Sequence, residues 1–107
     1  MTMTLVSRLG DAERQQLFAR HPLWQPIAER DAMRRRLRFA DFAETFGFIG
    51  AVAISCEALR HHPEWSNVYN NVEIILTTPA IEGLSEQDAL LAERIDELAL
   101  LFGAASY

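Results

Sequence analysis

The chain has 107 residues, the length of one domain that buries roughly 60–70% of its unfolded surface. Half of its residues are hydrophobic, 23% are charged and the formal net charge is −5. This is an ordinary globular composition, and its acidity gives no bulk attraction to nucleic acid or to an anionic membrane.

All ten basic residues are arginine, and the lone Cys56 has no partner for an internal disulfide. Neither a leader nor a twenty-residue apolar run stands out, so the expected compartment is the cytoplasm. Phe46 to Cys56 is apolar but too short to cross a bilayer.

Residues 1–9 carry no pattern and read as a loose arm on a single domain spanning 1–107. Asp11 to Arg20 reads as a short helix with Leu17 and Phe18 inward, stopped by Pro22. His21, at its end, reads as a surface residue. Trp24 to Ile27 is expected to be a short edge strand, because Pro26 cannot donate to a ladder. Glu29-Arg30-Asp31 then turns the chain into a second strand, Ala32 to Phe39.

In that strand Arg34, Arg36 and Arg38 share one face, and Met33, Arg35, Leu37 and Phe39 share the other. An arginine row invites a nucleic-acid reading, but an acidic chain gains little from counter-ion release. Glu73, on the next strand, can pair with the row instead. An ion-pair surface is therefore expected, facing solvent or another subunit.

Asp41 opens a long helix, with Glu44 three residues on as a variant capping box. Phe42, Phe46, Ile49, Ala53, Cys56 and Leu59 form the predicted core-facing stripe, with Cys56 as a buried inert thiol. Phe48 and Val52 widen the apolar surface beyond one stripe, which points to burial against another subunit. Gly47 and Gly50 weaken the helix by roughly 1 kcal/mol each relative to alanine and leave room for close packing.

Pro63 ends this helix and pushes His62 toward extended backbone, leaving His61 near the last turn. Val68, Val72, Ile74 and Leu76 then alternate with polar residues as a third strand, which breaks around Asn70-Asn71. A polar turn to Gly83 leads to Ser85, which caps the last helix with Asp88 completing a capping box. Leu91, Ile95, Leu98 and Phe102 give its buried face, and Gly103 stops it. The expected fold is α+β, an antiparallel sheet of about four strands with helices packed on one face.

Helix end, strand end and helix start thus converge around His61 and His62. Imidazole takes and returns a proton near neutral pH, which suits acid–base chemistry; the bland alternative is helix-end capping. Glu57 lies one turn before His61, where an i, i+4 contact would orient the ring, or it simply faces solvent. Trp65 can offer a flat face to a bicyclic ligand or can simply pack. Asp88 has a structural role as the capping acid, worth about 1 kcal/mol, and is equally placed to serve a site. A metal centre built from His61, His62 and either Glu57 or Asp88 is poorly supported. Adjacent histidines rarely share an ion, and no Cys-x-x-Cys or His-x-x-x-His spacing accompanies them, so no metal is expected.

Glu57, His61-His62-Pro63, Trp65, Asn67-Val68-Tyr69-Asn70, Val72 and Asp88 fall at one characteristic spacing. Upstream, Arg30-Asp31-Ala32, Phe39, Asp41-Phe42 and Phe46-Gly47-Phe48 support it. Over nearly its whole length the chain resembles the pterin-4a-carbinolamine dehydratase family. The resemblance implies removal of water from 4a-hydroxytetrahydropterins, regenerating the quinonoid dihydropterin after aromatic amino-acid hydroxylation, with no cofactor. One group takes a proton from the pterin ring while another protonates the departing hydroxyl. It assigns catalysis to His61 and His62, with His61 moving a proton together with a third histidine and His62 mainly holding the pterin.

It also implies pterin contacts from Glu57, Pro63, Trp65 and Asp88, a homodimer or homotetramer, and an aromatic amino-acid hydroxylase as partner. The chain departs from the family at Pro79, where the third histidine (sometimes a tryptophan) would stand. Losing a positioned acid or base costs about 10²–10⁴-fold, so weakened turnover is expected. The alternative is a catalytically poor pterin-binding or protein-interaction module, since some animal members stabilise dimers of a homeodomain transcription factor.

Overall fold

Gly10 starts the first helix by donating its N–H to Glu13 Oε1 at 2.9 Å, and His21 and Pro22 end it. The computed structural model describes residues 6–107. The chain runs α1 (Asp11–Arg20), β1 (Gln25–Pro26), β2 (Met33–Arg38), α2 (Phe42–Leu59), β3 (Glu64–Val68), β4 (Asn71–Leu76), α3 (Glu86–Leu101) and β5 (Ala105–Ser106). Its antiparallel sheet has the order β1-β2-β4-β3, with β5 pairing the far end of β2. The expected break at Asn70-Asn71 is a hairpin: Tyr69 takes a positive φ, and Asn67 Nδ2 donates to the carbonyls of Tyr69 and Asn71. The two-residue β1 lies at the edge, as Pro26 requires. The expected arm falls partly outside the described residues, but Arg8 and Leu9 are tied down, donating to the carbonyls of Ile81 and Leu84 at 2.9 Å.

Alternation separates the two faces of the sheet. Met33 and Leu37 of β2 and Val72, Ile74 and Leu76 of β4 join the core with Phe48, Val52, Leu91, Ile95 and Leu98 of the helices. Burying each such side chain is worth roughly 1.5–3 kcal/mol. The open face carries the arginine row, where Arg36 and Arg34 lie 3.0 and 3.7 Å from Glu73. This is the expected ion-pair surface, and exposed pairs of this kind contribute about 0–1 kcal/mol.

Two expectations about burial fail. The core-facing side of α2 is Thr45, Phe48, Val52, Ser55 and Cys56, so Phe48 and Val52 face the sheet rather than another subunit, whereas Phe42, Phe46, Ala53 and Leu59 of the predicted stripe are exposed. Apolar residues occupy every side of this helix, so periodicity alone does not choose a face. By length and composition α2 would even pass as a membrane span, with mean hydropathy 1.4. Phe48 instead packs 4.8 Å from Phe39 and edge-on to Phe102, ring centre to ring centre. A Cβ at Gly47 would crowd that same Phe102 ring, whereas Gly50 faces open space.

His21 is the second failure. Rather than lying free at the surface, its Nδ1 sits 2.7 Å from Asp96 Oδ2. Trp24 Nε1 and Arg35 Nη1 donate to Asp96 Oδ1 at 2.8 and 2.6 Å. This cluster explains how Arg35 is tolerated on the core side of β2.

Candidate active site

The site begins where α2 stops. Arg60 takes the left-handed conformation, φ 54° and ψ 43°. Its N–H bonds the Cys56 and Glu57 carbonyls, and the His61 N–H bonds that of Cys56 at 3.1 Å. This is the Schellman pattern with arginine where glycine is usual, a substitution that costs roughly 1–2 kcal/mol. Both histidines therefore lie beyond the helix, not one in its last turn. The turn buries His61, only 5% exposed, and leaves His62 at the surface.

Three elements converge on the His61 ring through Asp88, which is fully buried. His61 Nε2 lies 2.6 Å from Asp88 Oδ1. Asp88 Oδ2 accepts from Thr78 Oγ1 at 2.7 Å and from the Ser85 N–H at 2.9 Å. Thr78 Oγ1 meets Ser85 Oγ at 2.6 Å, and Ser85 Oγ accepts from the Gln87 N–H. Asp88 is thus both the capping acid of α3 and the group that orients His61. With Nε2–H donated to the carboxylate, Nδ1 is the acceptor. It has no protein partner among the described residues and is not among the buried orphaned atoms.

A cleft of about 450 Å³ opens at this end of the sheet, lined by Arg30, Asp31, Glu64, Thr77, Pro79 and Glu82 among others. Arg30 pairs with Glu64 through both carboxylate oxygens, at 2.8 and 2.7 Å. That hydrogen bond holds the Glu64 carboxyl below its ordinary pKa and raises that of Arg30. Asp31 is gripped by Arg14 at 2.5 and 2.8 Å and accepts the Leu84 N–H at 3.2 Å. The Arg14 bond pushes the Asp31 carboxyl down despite burial, which opposes the shift. The Asp31 carbonyl accepts from Thr77 Oγ1 at 2.9 Å. A Cβ at Gly83 would collide with the Asp31 carboxylate, so this position needs glycine for close approach.

Of the residues singled out in the sequence, His61 and Asp88 are brought into contact. Glu57 is exposed and makes no bond to His61, because the Arg60 turn breaks the i, i+4 geometry. Pro63 is half-buried, and Trp65 is 38% exposed on β3, opposite Ile74. Pro79 lines the cleft; His61, His62 and Trp65 do not. His61 is tied to the cleft wall through Asp88 and Thr78, the residue before Pro79. The supporting roles of Thr78 and Asp31 escape a sequence reading, since each depends on a partner brought together by folding. Among the described residues, no three His, Cys, Asp or Glu side chains converge as a metal would need.

Residues 7–98 match the sequence model of the family described as pterin 4 alpha carbinolamine dehydratase. The chain belongs to that family. Its relatives include proteins of Burkholderia orbicola and Burkholderia multivorans, each named "Putative pterin-4-alpha-carbinolamine dehydratase". They are 48% and 47% identical over 95 residues, which is 89% of this chain and 93% of each relative. The crystal structure of a Brucella melitensis protein, named a transcriptional coactivator/pterin dehydratase, superposes with a TM-score of 0.84 at 35% identity. That match covers 87% of this chain and 99% of the other. The activity in the family name is that of a hydro-lyase.

Proposed function

We propose that the protein dehydrates a 4a-hydroxytetrahydropterin to the quinonoid dihydropterin by proton transfer at His61. The observation that carries this reading is the buried His61–Asp88 pair, 2.6 Å apart, which leaves Nδ1 as the proton-accepting atom. A proton leaves a ring nitrogen of the pterin for Nδ1. The electron pair it leaves forms a C=N bond to C4a as the C4a–O bond breaks. The hydroxyl takes a proton and departs as water, so no redox cofactor or metal is required.

His62, exposed beside His61, is assigned to holding the pterin, with Glu57, Pro63 and Trp65 as further contacts from adjoining segments. The substrate would come from an aromatic amino-acid hydroxylase. Pro79 offers no proton and no acceptor nitrogen, so rate must come from whatever else lines the cleft.

The test is turnover of a synthetic 4a-hydroxytetrahydropterin, followed by absorbance against the spontaneous rate. His61→Ala should abolish the enzymatic component, with folding checked by circular dichroism because the ring is buried. His62→Ala should mainly raise KM. A wild type that binds pterin but does not exceed the spontaneous rate refutes the reading and leaves a pterin-binding module.

An interaction role has its own supporting observation. Phe42, Phe46 and Ile54 on α2 are 45%, 62% and 74% exposed, and large apolar side chains grouped on one helix are the kind of surface that marks a protein interface. We assign this face to a homo-oligomer, a dimer or tetramer built on the Asp41–Arg60 helices.

A further inference from the structure

We propose that Glu82 supplies the second proton-transfer group, from the place that Pro79 leaves without one; this rests on the dehydratase reading above. Pro79 opens a single 3₁₀ turn, Pro79–Ile81, and the Glu82 N–H closes it on the Pro79 carbonyl at 3.2 Å. Glu82 is the left-handed residue that ends the turn. Glu82 and Pro79 both line the 450 Å³ cleft, three residues apart.

Its carboxylate is also free. Asp31 and Glu64, the neighbouring acids on the cleft wall, are held by Arg14 and Arg30. Glu82 has no hydrogen-bond or ion-pair partner among the described residues. Glu29, the other unpaired acid of the cleft, sits on the turn between β1 and β2 rather than on the Pro79 turn.

The backbone points the same way. Glu82 has φ 50° and ψ 44°, a conformation that glycine or asparagine adopts readily and that is strained for other residues. A carboxylate thus stands where the fold alone would favour glycine. The turn itself is tied to His61. Thr78, next to Pro79, and His61 bond the two oxygens of one buried carboxylate, Asp88.

In the step, His61 Nδ1 takes the proton from the pterin ring nitrogen. The freed pair makes the C4a=N bond, the C4a–O bond breaks, and the departing hydroxyl takes a proton relayed from solvent by the Glu82 carboxyl and leaves as water. Proton exchange with solvent returns one proton to Glu82 and removes one from His61, so the cycle closes without another reactant.

The experiment compares wild type, Glu82→Gln, Glu29→Gln and the double variant Glu82→Gln/Pro79→His in hydroxypterin turnover, corrected for the spontaneous reaction, across pH. Glu82→Gln should lower kcat at least about tenfold and change KM less than about twofold. The double variant should recover at least about tenfold over Glu82→Gln, because histidine at 79 restores a donor in the same place. Circular dichroism and melting should match wild type throughout. Wild-type turnover with Glu82→Gln unchanged, with an equal loss in Glu29→Gln, or with no recovery in the double variant overturns this proposal alone. A wild type without turnover overturns it together with the dehydratase reading.

Discussion

Asp88→Asn separates the two roles of the buried carboxylate. Oδ2 receives two donors, the Thr78 hydroxyl and the Ser85 N–H, while Oδ1 faces only His61 Nε2. An asparagine must keep its oxygen toward the two donors, which turns its NH₂ to His61. Nε2 then becomes an acceptor, the ring proton moves to Nδ1, and Nδ1 can no longer accept from the pterin. Turnover should fall about 10²–10⁴-fold, by the same logic that a wrong histidine tautomer disables a catalytic triad. Stability should fall by only about 1–2 kcal/mol, since both donors stay satisfied.

Asp88→Ala removes the acceptor that three donors share and half of the α3 capping box. Each buried orphan costs about 1–3 kcal/mol; allowing for relaxation, the total is about 3–6 kcal/mol. That is a large share of the roughly 5–15 kcal/mol expected of a domain this size, and should lower the melting temperature by roughly 15–30 °C. Circular dichroism melts and hydroxypterin turnover check the pair of variants. An Asp88→Asn protein that is folded and turns over within a few-fold of wild type refutes the tautomer argument. An Asp88→Ala protein melting within about 5 °C of wild type refutes the network's structural weight.

Phe46→Asp/Ile54→Asp should convert an oligomer into a folded monomer, seen as a single-chain mass in light scattering; an unchanged mass rejects the α2 face as the contact. Asp31 has a folded pKa below its unpaired value of 3.8 because of the Arg14 bond, so its contribution is present above that value and lost as pH falls through the folded pKa. Acid unfolding should therefore begin below about pH 4, and Arg14→Gln should move its onset upward. Burial raises the pKa of the Cys56 thiol, so in native protein it should resist a thiol reagent that labels it fully in denaturant.

Local chemistry was legible in the sequence, and long-range partnership was not. The limits of α1, the caps at Asp41 and Ser85, and the β1–β2 hairpin all follow from residues a few positions apart. Asp41 does accept the Glu44 N–H, at 2.8 Å. The buried face of α2 was misread because Phe42, Phe46, Phe48 and Ile49 compete on one helix, and only the sheet's position decides among them. His21 was misread because its partner, Asp96, lies 75 residues away. His-His-Pro marked the end of α2, but which histidine is buried depends on the left-handed Arg60, a conformation ordinarily flagged by glycine. The step from two histidines to pterin chemistry came from family resemblance rather than from physics.

Fold and chemistry are carried by different atoms in the segment from Thr77 to Gly83. Thr77 bonds the Asp31 carbonyl, Thr78 bonds Asp88, and the Thr78 and Gly83 backbones pair with each other at 2.9 and 3.4 Å. The Pro79 side chain, exposed between these anchors, faces the cleft. Proline suits the first position of the turn, where its fixed φ fits and the missing N–H is not needed. Histidine can occupy the same backbone, since the bonds that fix the turn belong to its neighbours. Pro79→His should therefore shift the melting temperature by no more than a few degrees while changing the proton-transfer groups of the cleft. A large loss of stability would show that proline, and not the anchors around it, holds the turn.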